Sequence, residues 1–559
     1  MVKQRDKMKR VILYILLLIL PVMTQAKDSL TYCSPFDFPL LLSANFGELR
    51  PNHFHNGLDI KTKGSVGHPI KCIADGYVVR AKVQHGGYGQ AIYVAHPNGQ
   101  TSVYGHIIRF APEVEKRIRD YQYKHETFVC DLNLSSGEIP VTQGQIIAWS
   151  GNEGASGGPH LHLELRKTET DEYLNPMPYY KKWLKDTKAP VASHVALYPV
   201  GGKGVVEGST TKKKLISVNA AAQVVHAWGE VYGGICAKDL MDNTSNIYGV
   251  HSVRLYVDDT EVFHSTTDAV LPEENRMINS FVDYDERIRS RRWIMRCYKE
   301  PGNRLRMLHV GDKRGVVTID EERMYKFRYV LEDNFGNKRT YTMRVLGRQQ
   351  SIPDKPDDYD ELLMPSRLSI VQRPGLEFVM LRGYVYDETP LYLTIEDDSL
   401  GVSNRYTLDI GNKPLHGYCP IALGLKKKPL TDETKYYIEQ EYKGWKGAVD
   451  AKMEEMWIYG KVRSLGTFSV KVDTLGPEVI PVDRQQWRST RNVRFRVRDK
   501  ESGINQYKVY VDGKFVLFGL KKGMLIVQDK NKIKRGVPHQ LEVIVTDRCG
   551  NETKKIFKF

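Results

Sequence analysis

The chain has 559 residues, 41% of them hydrophobic and 27% charged, with a formal net charge of +15. That length suits roughly three to five domains of about 100–200 residues, and the ordinary globular composition excludes long disorder. The basic balance favours anionic surroundings such as a cell-wall polymer. Without a helix-turn-helix pattern or an aromatic-basic platform it excludes a nucleic-acid partner, and solvated surface lysines account for most of it equally well.

The first 26 residues read as a secretory signal peptide. Lys3, Arg5, Lys7, Lys9 and Arg10 precede an apolar run over 11–22, and the small residues Thr24 and Ala26 mark a cleavage point. The run is too short for a comfortable membrane-spanning helix. Cleavage after Ala26 removes five basic side chains and one acidic one, lowering the formal charge from +15 to +11. Tyr32 before Cys33 departs from a lipid-anchoring signal, so a soluble exported protein of the periplasm or cell envelope is expected. The seven cysteines, Cys33, Cys72, Cys130, Cys236, Cys297, Cys419 and Cys549, contain no Cys-x-x-Cys pair, which argues against a thiolate metal site. One or two disulfides are open to an exported chain, with at least one cysteine unpaired; the sequence selects no partners.

Residues 27–185 read as an antiparallel β domain with glycine-rich corners. His53-Phe54-His55-Asn56-Gly57-Leu58-Asp59 places a turn before a strand, because Gly57 opposes a helix. Short strands follow around 73–81 and 90–96, Pro97-Asn98-Gly99 signals a hairpin, and 101–106 is the return strand. A helix is expected over 112–123. His160-Leu161-His162-Leu163-Glu164-Leu165-Arg166 alternates with period two, predicting a half-buried strand with its leucines on a core. His160, His162 and Glu164 then share the other face, beside the small residues 154–159. Two imidazoles there are either metal ligands and proton carriers or solvated surface groups. Glu164 reads as a solvated strand residue in preference to a partner of the site. His53, His68, His85 and His96 read as surface residues at turns, and Asn56 as at most a shaper of the turn.

The ordered set His55-x-x-x-Asp59, Tyr104-Gly105-His106 and His160-Leu161-His162 resembles the LytM/lysostaphin-type zinc endopeptidases. The glycine framework at Asp75-Gly76, Gly87-Tyr88-Gly89, Gln143-Gly144-Gln145 and Gly157-Gly158-Pro159 matches as well, over roughly 44–178. The resemblance implies Zn²⁺ held by His55, Asp59 and His162, with His160 as general base and His106 as a donor to the oxyanion. Such a site leaves a fourth metal position for water. It also implies peptidoglycan peptides as substrate. The loop before His55 is short and segment 107–139 is long, so both would flank the groove and bear on which bond is cut. The alternatives are a catalytically silent wall-binding scaffold or activator of another hydrolase, and a surface adhesin.

The remainder reads as β-sandwich modules of immunoglobulin-like type, making the whole chain all-β. Asp186-Thr187-Lys188-Ala189-Pro190 echoes Asp473-Thr474-Leu475-Gly476-Pro477, and Asp333-Asn334-Phe335-Gly336-Asn337 echoes Asp547-Arg548-Cys549-Gly550-Asn551. These ends define two copies, 186–350 and 473–559, the first enlarged by an insertion over 267–312. Residues 351–366 read as a linker and 367–472 as a third sandwich, with Trp457 and Tyr459 in its core. No ligand-spaced cluster is expected in this half, whose work would be spacing, wall attachment or contact with other envelope proteins.

Overall fold

A computed structural model describes residues 31–220, 223–355 and 357–559. The signal-peptide segment lies outside the described residues. Among those described, no helix is long and apolar enough to cross a membrane.

The N-terminal domain is built on β1 (Leu42–Ala44), β2 (Leu58–Lys61), β3 (Gly76–Val83), β4 (Gln90–Ala95), β5 (Gln100–Gly105), α1 (Pro112–His125), β6 (Cys130–Asn133) and β7 (His160–Lys167). The strands run β1–β2–β7–β5–β4–β3–β6 across one sheet. Every pairing on this path is antiparallel, as expected where short glycine turns link neighbours. Helix α1 starts on Pro112, carries Glu113 and Glu115 in its first turn and Lys124 and His125 in its last, and stops at the left-handed Glu126. Those charges complement the helix dipole.

The core of this domain holds Leu58, Ile60, Ile92, Val94, Tyr104, Leu161, Leu163 and Leu165. Each leucine buried on β7 contributes about 1.5–3 kcal/mol. The second face of β7 is not solvated as its alternation predicts: His162, Glu164 and Arg166 are also buried. Alternation in sequence records polarity, and here the polar face packs into a charged, hydrogen-bonded layer.

The next unit centres on a sheet containing Val191–Val206, Val224–Lys238, Ser252–Val257, Met324–Glu332 and Lys338–Gly347. Its core takes in Phe46 and Phe54 from the N-terminal domain. The insertion also joins the two units, because Ala269–Val270 pairs with Tyr173–Leu174 at the edge of β7. Residues 361–472 form sheets of six and five strands, and 478–558 two sheets of four. Glu361–Leu363, expected in the linker, is a strand of the six-stranded sheet; Leu363 is fully buried and draws it in. Trp457 and Tyr459 are not core. Their strand alternates, burying Ile458, Gly460 and Val462 and leaving Tyr459 46% exposed. All seven cysteines are free thiols, so the one or two disulfides open to an exported chain are not formed.

Candidate metal centre

Strand register assembles the site. β7 lies between β2 and β5, and His162 stands opposite Asp59 on one side and Gly105 on the other. Opposed residues on adjacent strands have Cβ atoms about 4.5–5.5 Å apart, so a carboxylate and an imidazole meet by pairing alone. His55 arrives from the turn before β2. That turn lies against β7 so closely that a Cβ at Gly57 would sit 2.3 Å from the Leu163 carbonyl oxygen. Only glycine admits this approach.

Three donor atoms converge. His55 Nε2 lies 3.0 Å from Asp59 Oδ1 and 3.0 Å from His162 Nδ1, and His162 Nδ1 lies 2.8 Å from Asp59 Oδ1. The other nitrogen of each ring is committed. His55 Nδ1–H donates to the Asn45 carbonyl at 2.7 Å, and His162 Nε2–H to the Glu164 carboxylate at 2.8 Å. These bonds fix the neutral tautomers, so both inward nitrogens present lone pairs toward each other and toward a carboxylate oxygen. Only a positive charge reconciles three such donors at contact distance. A divalent cation does so, and two nitrogens with one carboxylate oxygen suit Zn²⁺ with one position left open. Without a metal, a proton serves instead. Burial opposes charge on His162, but hydrogen bonds to Asp59 and Glu164 lift it to about 9. Burial likewise opposes charge on Asp59, yet His55, His160 and His162 hold it well below the carboxylate range.

His160 and His106 flank this triangle. His160 Nδ1–H donates to the Gly158 carbonyl at 2.8 Å, and its Nε2 lies 3.4 Å from Asp59 Oδ1. His106 Nδ1–H donates to the Glu153 carbonyl at 2.7 Å. Their rings are 4.7 Å apart, and His106 is 5.9 Å from His162. His106 sits just past β5 with φ +59°, a conformation that non-glycine residues adopt rarely and that functional sites tolerate. Burial, His162 and His160 depress its pKa to about 4. It is therefore neutral near pH 7 and offers a bare nitrogen, not a proton. Donation to an oxyanion by His106 thus requires that it first take up a proton.

A buried layer supports the ligands, and sequence reading missed most of it. Glu164 is fully buried, not solvated. It accepts from His162, from the Tyr88 hydroxyl and from Arg166 Nε at 2.7 Å. Burial opposes its charge, but Arg166 and His162 hold its pKa at about 2. Arg50 donates to Asp59 Oδ2 at 2.8 Å, leaving Oδ1 for the triangle. The period-two spacing to Arg166 was a usable signal for the Glu164 pair; nothing local marks Tyr88 or Arg50.

The following unit holds the ligand turn from outside. Asn45, which fixes His55, has its own side chain pinned by the Gly249 backbone at 2.9 and 2.8 Å. Asn275 accepts from the Phe54 N–H at 2.7 Å and donates to Asn56 Oδ1 at 2.8 Å. Of the histidines expected at the surface, His53 and His85 are exposed and His68 is half-buried. His85 contacts Tyr507 of the last unit. His96 is buried, because its ring bonds the Asp75 carbonyl and Ser102 Oγ, each at 2.8 Å.

A family model described as Peptidase family M23 matches residues 53–123, and one described as a Zu5-like domain matches residues 360–473. DD-carboxypeptidase/endopeptidase Mpg of Neisseria meningitidis serogroup B is 32% identical over 112 residues, 20% of this chain and 20% of that protein. Glycyl-glycine endopeptidase ALE-1 of Staphylococcus capitis is 30% identical over 131 residues, 23% of this chain and 29% of that protein. The chain thus spans under a third of these relatives' lengths. Among solved structures, the catalytic domain of lysostaphin from Staphylococcus simulans is 26% identical, covering 24% of this chain and 89% of that one, with a TM-score of 0.19. By sequence match over residues 53–123, the N-terminal domain is similar to Peptidase family M23 of the LytM/lysostaphin type.

Proposed function

We propose that the chain is an exported zinc endopeptidase that hydrolyses peptide bonds in peptidoglycan stems or cross-links. The observation that carries this reading is the convergence of two imidazole lone pairs and one carboxylate oxygen within 3.0 Å. Zn²⁺ held by His55, Asp59 and His162 would supply Lewis acidity toward a carbonyl and make water nucleophilic near neutral pH. His160 takes the proton from the attacking water at Nε2, which lies 3.4 Å from Asp59 Oδ1. The resulting imidazolium then returns the proton to the departing amine. His106 closes the other side of the site; it takes a proton from solvent as negative charge builds on the substrate oxygen and holds that proton in a hydrogen bond to it. Mpg and ALE-1 are both named as endopeptidases, which supports a peptide bond as target.

The test is digestion of purified peptidoglycan by the zinc-loaded full chain and by its His162→Ala variant, with products weighed by mass spectrometry. Peptide fragments from the wild type alone are expected. Equal solubilisation by both proteins would leave a wall-binding scaffold in place of an enzyme.

A further inference from the structure

We propose that Asp186, Asp239 and Asp333 hold a calcium ion at the junction between the peptidase domain and the unit that follows it. This assignment is independent of the peptidase reading.

One carboxylate oxygen from each residue lies within 4.8 Å of the other two. Asp186 follows the last helical turn of the N-terminal domain, Lys181–Trp183. Asp239 follows the strand Val224–Lys238, and Asp333 follows Met324–Glu332. All three are buried, Asp239 to 3% exposure. Asp239 Oδ1 has no hydrogen-bond partner. A buried, unpaired carboxylate oxygen beside two more carboxylates is unfavourable unless a cation or proton is present. Burial raises Asp239 to about 8 and Asp186 to about 6, as expected of a cluster short of positive charge.

The last unit provides an internal comparison. Asp473, Asp499 and Asp547 form the same constellation, and Asp473 and Asp547 occupy the echoed positions of Asp186 and Asp333. The scaffold repeats in detail. Asn337 Nδ2 donates to the Asp186 carbonyl at 3.2 Å, and Asn551 Nδ2 to the Asp473 carbonyl at 3.0 Å. Lys188 N–H caps Asp186 Oδ1 and Leu475 N–H caps Asp473 Oδ1, each at 3.0 Å.

The copies differ in how the carboxylates are satisfied. Ser502 donates twice to Asp473 Oδ2, from N–H at 3.1 Å and Oγ at 2.7 Å. Asp499 Oδ1 receives Gly503 N–H at 2.6 Å and Glu501 N–H at 3.1 Å. In the first copy Leu240-Met241-Asp242 follows Asp239 and supplies no such hydroxyl. Instead it brings a fourth carboxylate, Asp242, whose charge further raises Asp186. The last unit has closed Asp473 and Asp499 with internal donors; in the first, Asp333 accepts from Phe335 N–H, Asn337 N–H and Asn337 Nδ2 and Asp186 from Lys188 N–H, but Asp239 Oδ1 is left without a donor. All ligands are oxygen, with no histidine or cysteine, which selects a hard ion. Calcium tolerates irregular oxygen sets completed by carbonyls and water, whereas magnesium demands near-octahedral order and sheds water reluctantly.

The test is isothermal titration of Ca²⁺ into the full chain, stripped of metal and reloaded with one equivalent of Zn²⁺, with melting followed in parallel. One site with a Kd of roughly 0.1–1 mM, the range of weak extracellular modules, is expected, together with an upward Tm shift. Asp239→Asn should abolish both, while Asp499→Asn leaves both intact. Should Asp239→Asn fail to fold, Asp186→Asn takes its place. Absence of heat and of any Tm shift at about ten times that concentration overturns the proposal in favour of a shared proton. So does calcium binding that survives both first-copy variants, or that is lost with Asp499→Asn.

Discussion

The four histidines of the site each bond outward through one nitrogen, to Asn45, Glu153, Gly158 or Glu164, and face inward with the other. Their residue types were legible in the sequence because two-residue spacing on a strand and the His-x-x-x-Asp turn are local patterns. Their tautomers were not, because the groups that set them come from distant segments. Glu164 is the clearest case: a strand glutamate is ordinarily solvated, and only the burial of Arg166 beside it reverses that. Glu164→Gln should weaken zinc binding by about 10–100-fold, as loss of a ligand's hydrogen-bond partner does. It should also destabilise the fold by about 3–5 kcal/mol by leaving Arg166 buried without its counter-charge. Chelator competition and denaturant unfolding measure the two effects, and an unchanged affinity would reduce Glu164 to packing. The pH response follows from His162. Its folded pKa of about 9 lies above the ordinary 6.5, so in the metal-free chain its stabilisation is complete below 6.5 and lost as pH rises through 9. Glu164 acts oppositely: depressed from 4.5 to about 2, it stabilises above 4.5 and fails as pH falls through 2. On the proposed reading, zinc would take the place of the His162 proton. The Tm of the metal-free chain should therefore fall more steeply between pH 6.5 and 9 than that of the zinc-loaded chain; equal slopes would contradict the lone-pair account.

At the scale of elements, register does most of the assembly. β7 pairs on both edges, so His162 has Asp59 on one side and the β5 terminus, leading to His106, on the other. The strands themselves were legible from alternation and turn residues. Their order was not, since nothing in period-two patterning says which strands become neighbours. Gly57 shows how tightly the ligand turn is set. Gly57→Ala places a methyl group 2.3 Å from the Leu163 oxygen, which must push the turn off β7. The variant should lose about 1–3 kcal/mol and most of its zinc affinity. Leu163→Ala, on the opposite face of the same strand, should lose about 2–5 kcal/mol through its cavity and retain more of its metal affinity per unit of stability lost. Denaturant unfolding with zinc titration on both variants separates the two mechanisms; equal zinc loss per kcal/mol would remove the special role of the turn.

The molecule as a whole couples its N-terminal domain to the unit behind it. Phe46 and Phe54 pack in that unit's core, and Gly249 and Asn275 hold Asn45 and the ligand turn. The internal echo and the insertion were visible in the sequence, but the insertion's task was not, because its contacts span more than two hundred residues. A fragment ending at residue 188 should therefore fail to bind zinc with native affinity and should aggregate through the exposed phenylalanines. Asn275→Ala in the full chain, which strands the buried Phe54 N–H, should cost about 1–3 kcal/mol and lower peptidase activity without touching a ligand. Solubility and zinc titration check the first; unfolding and turnover of the zinc-loaded enzyme check the second. A well-folded, fully active fragment would show the following units to be accessories.

The central claim is that His55, Asp59 and His162 together hold one zinc ion. Metal analysis of the folded full chain, after zinc loading and removal of excess, tests it most directly. One zinc per chain is expected for the wild type, falling to near zero in Asp59→Ala and His162→Ala variants whose circular dichroism is unchanged. One zinc retained by either variant would contradict the account.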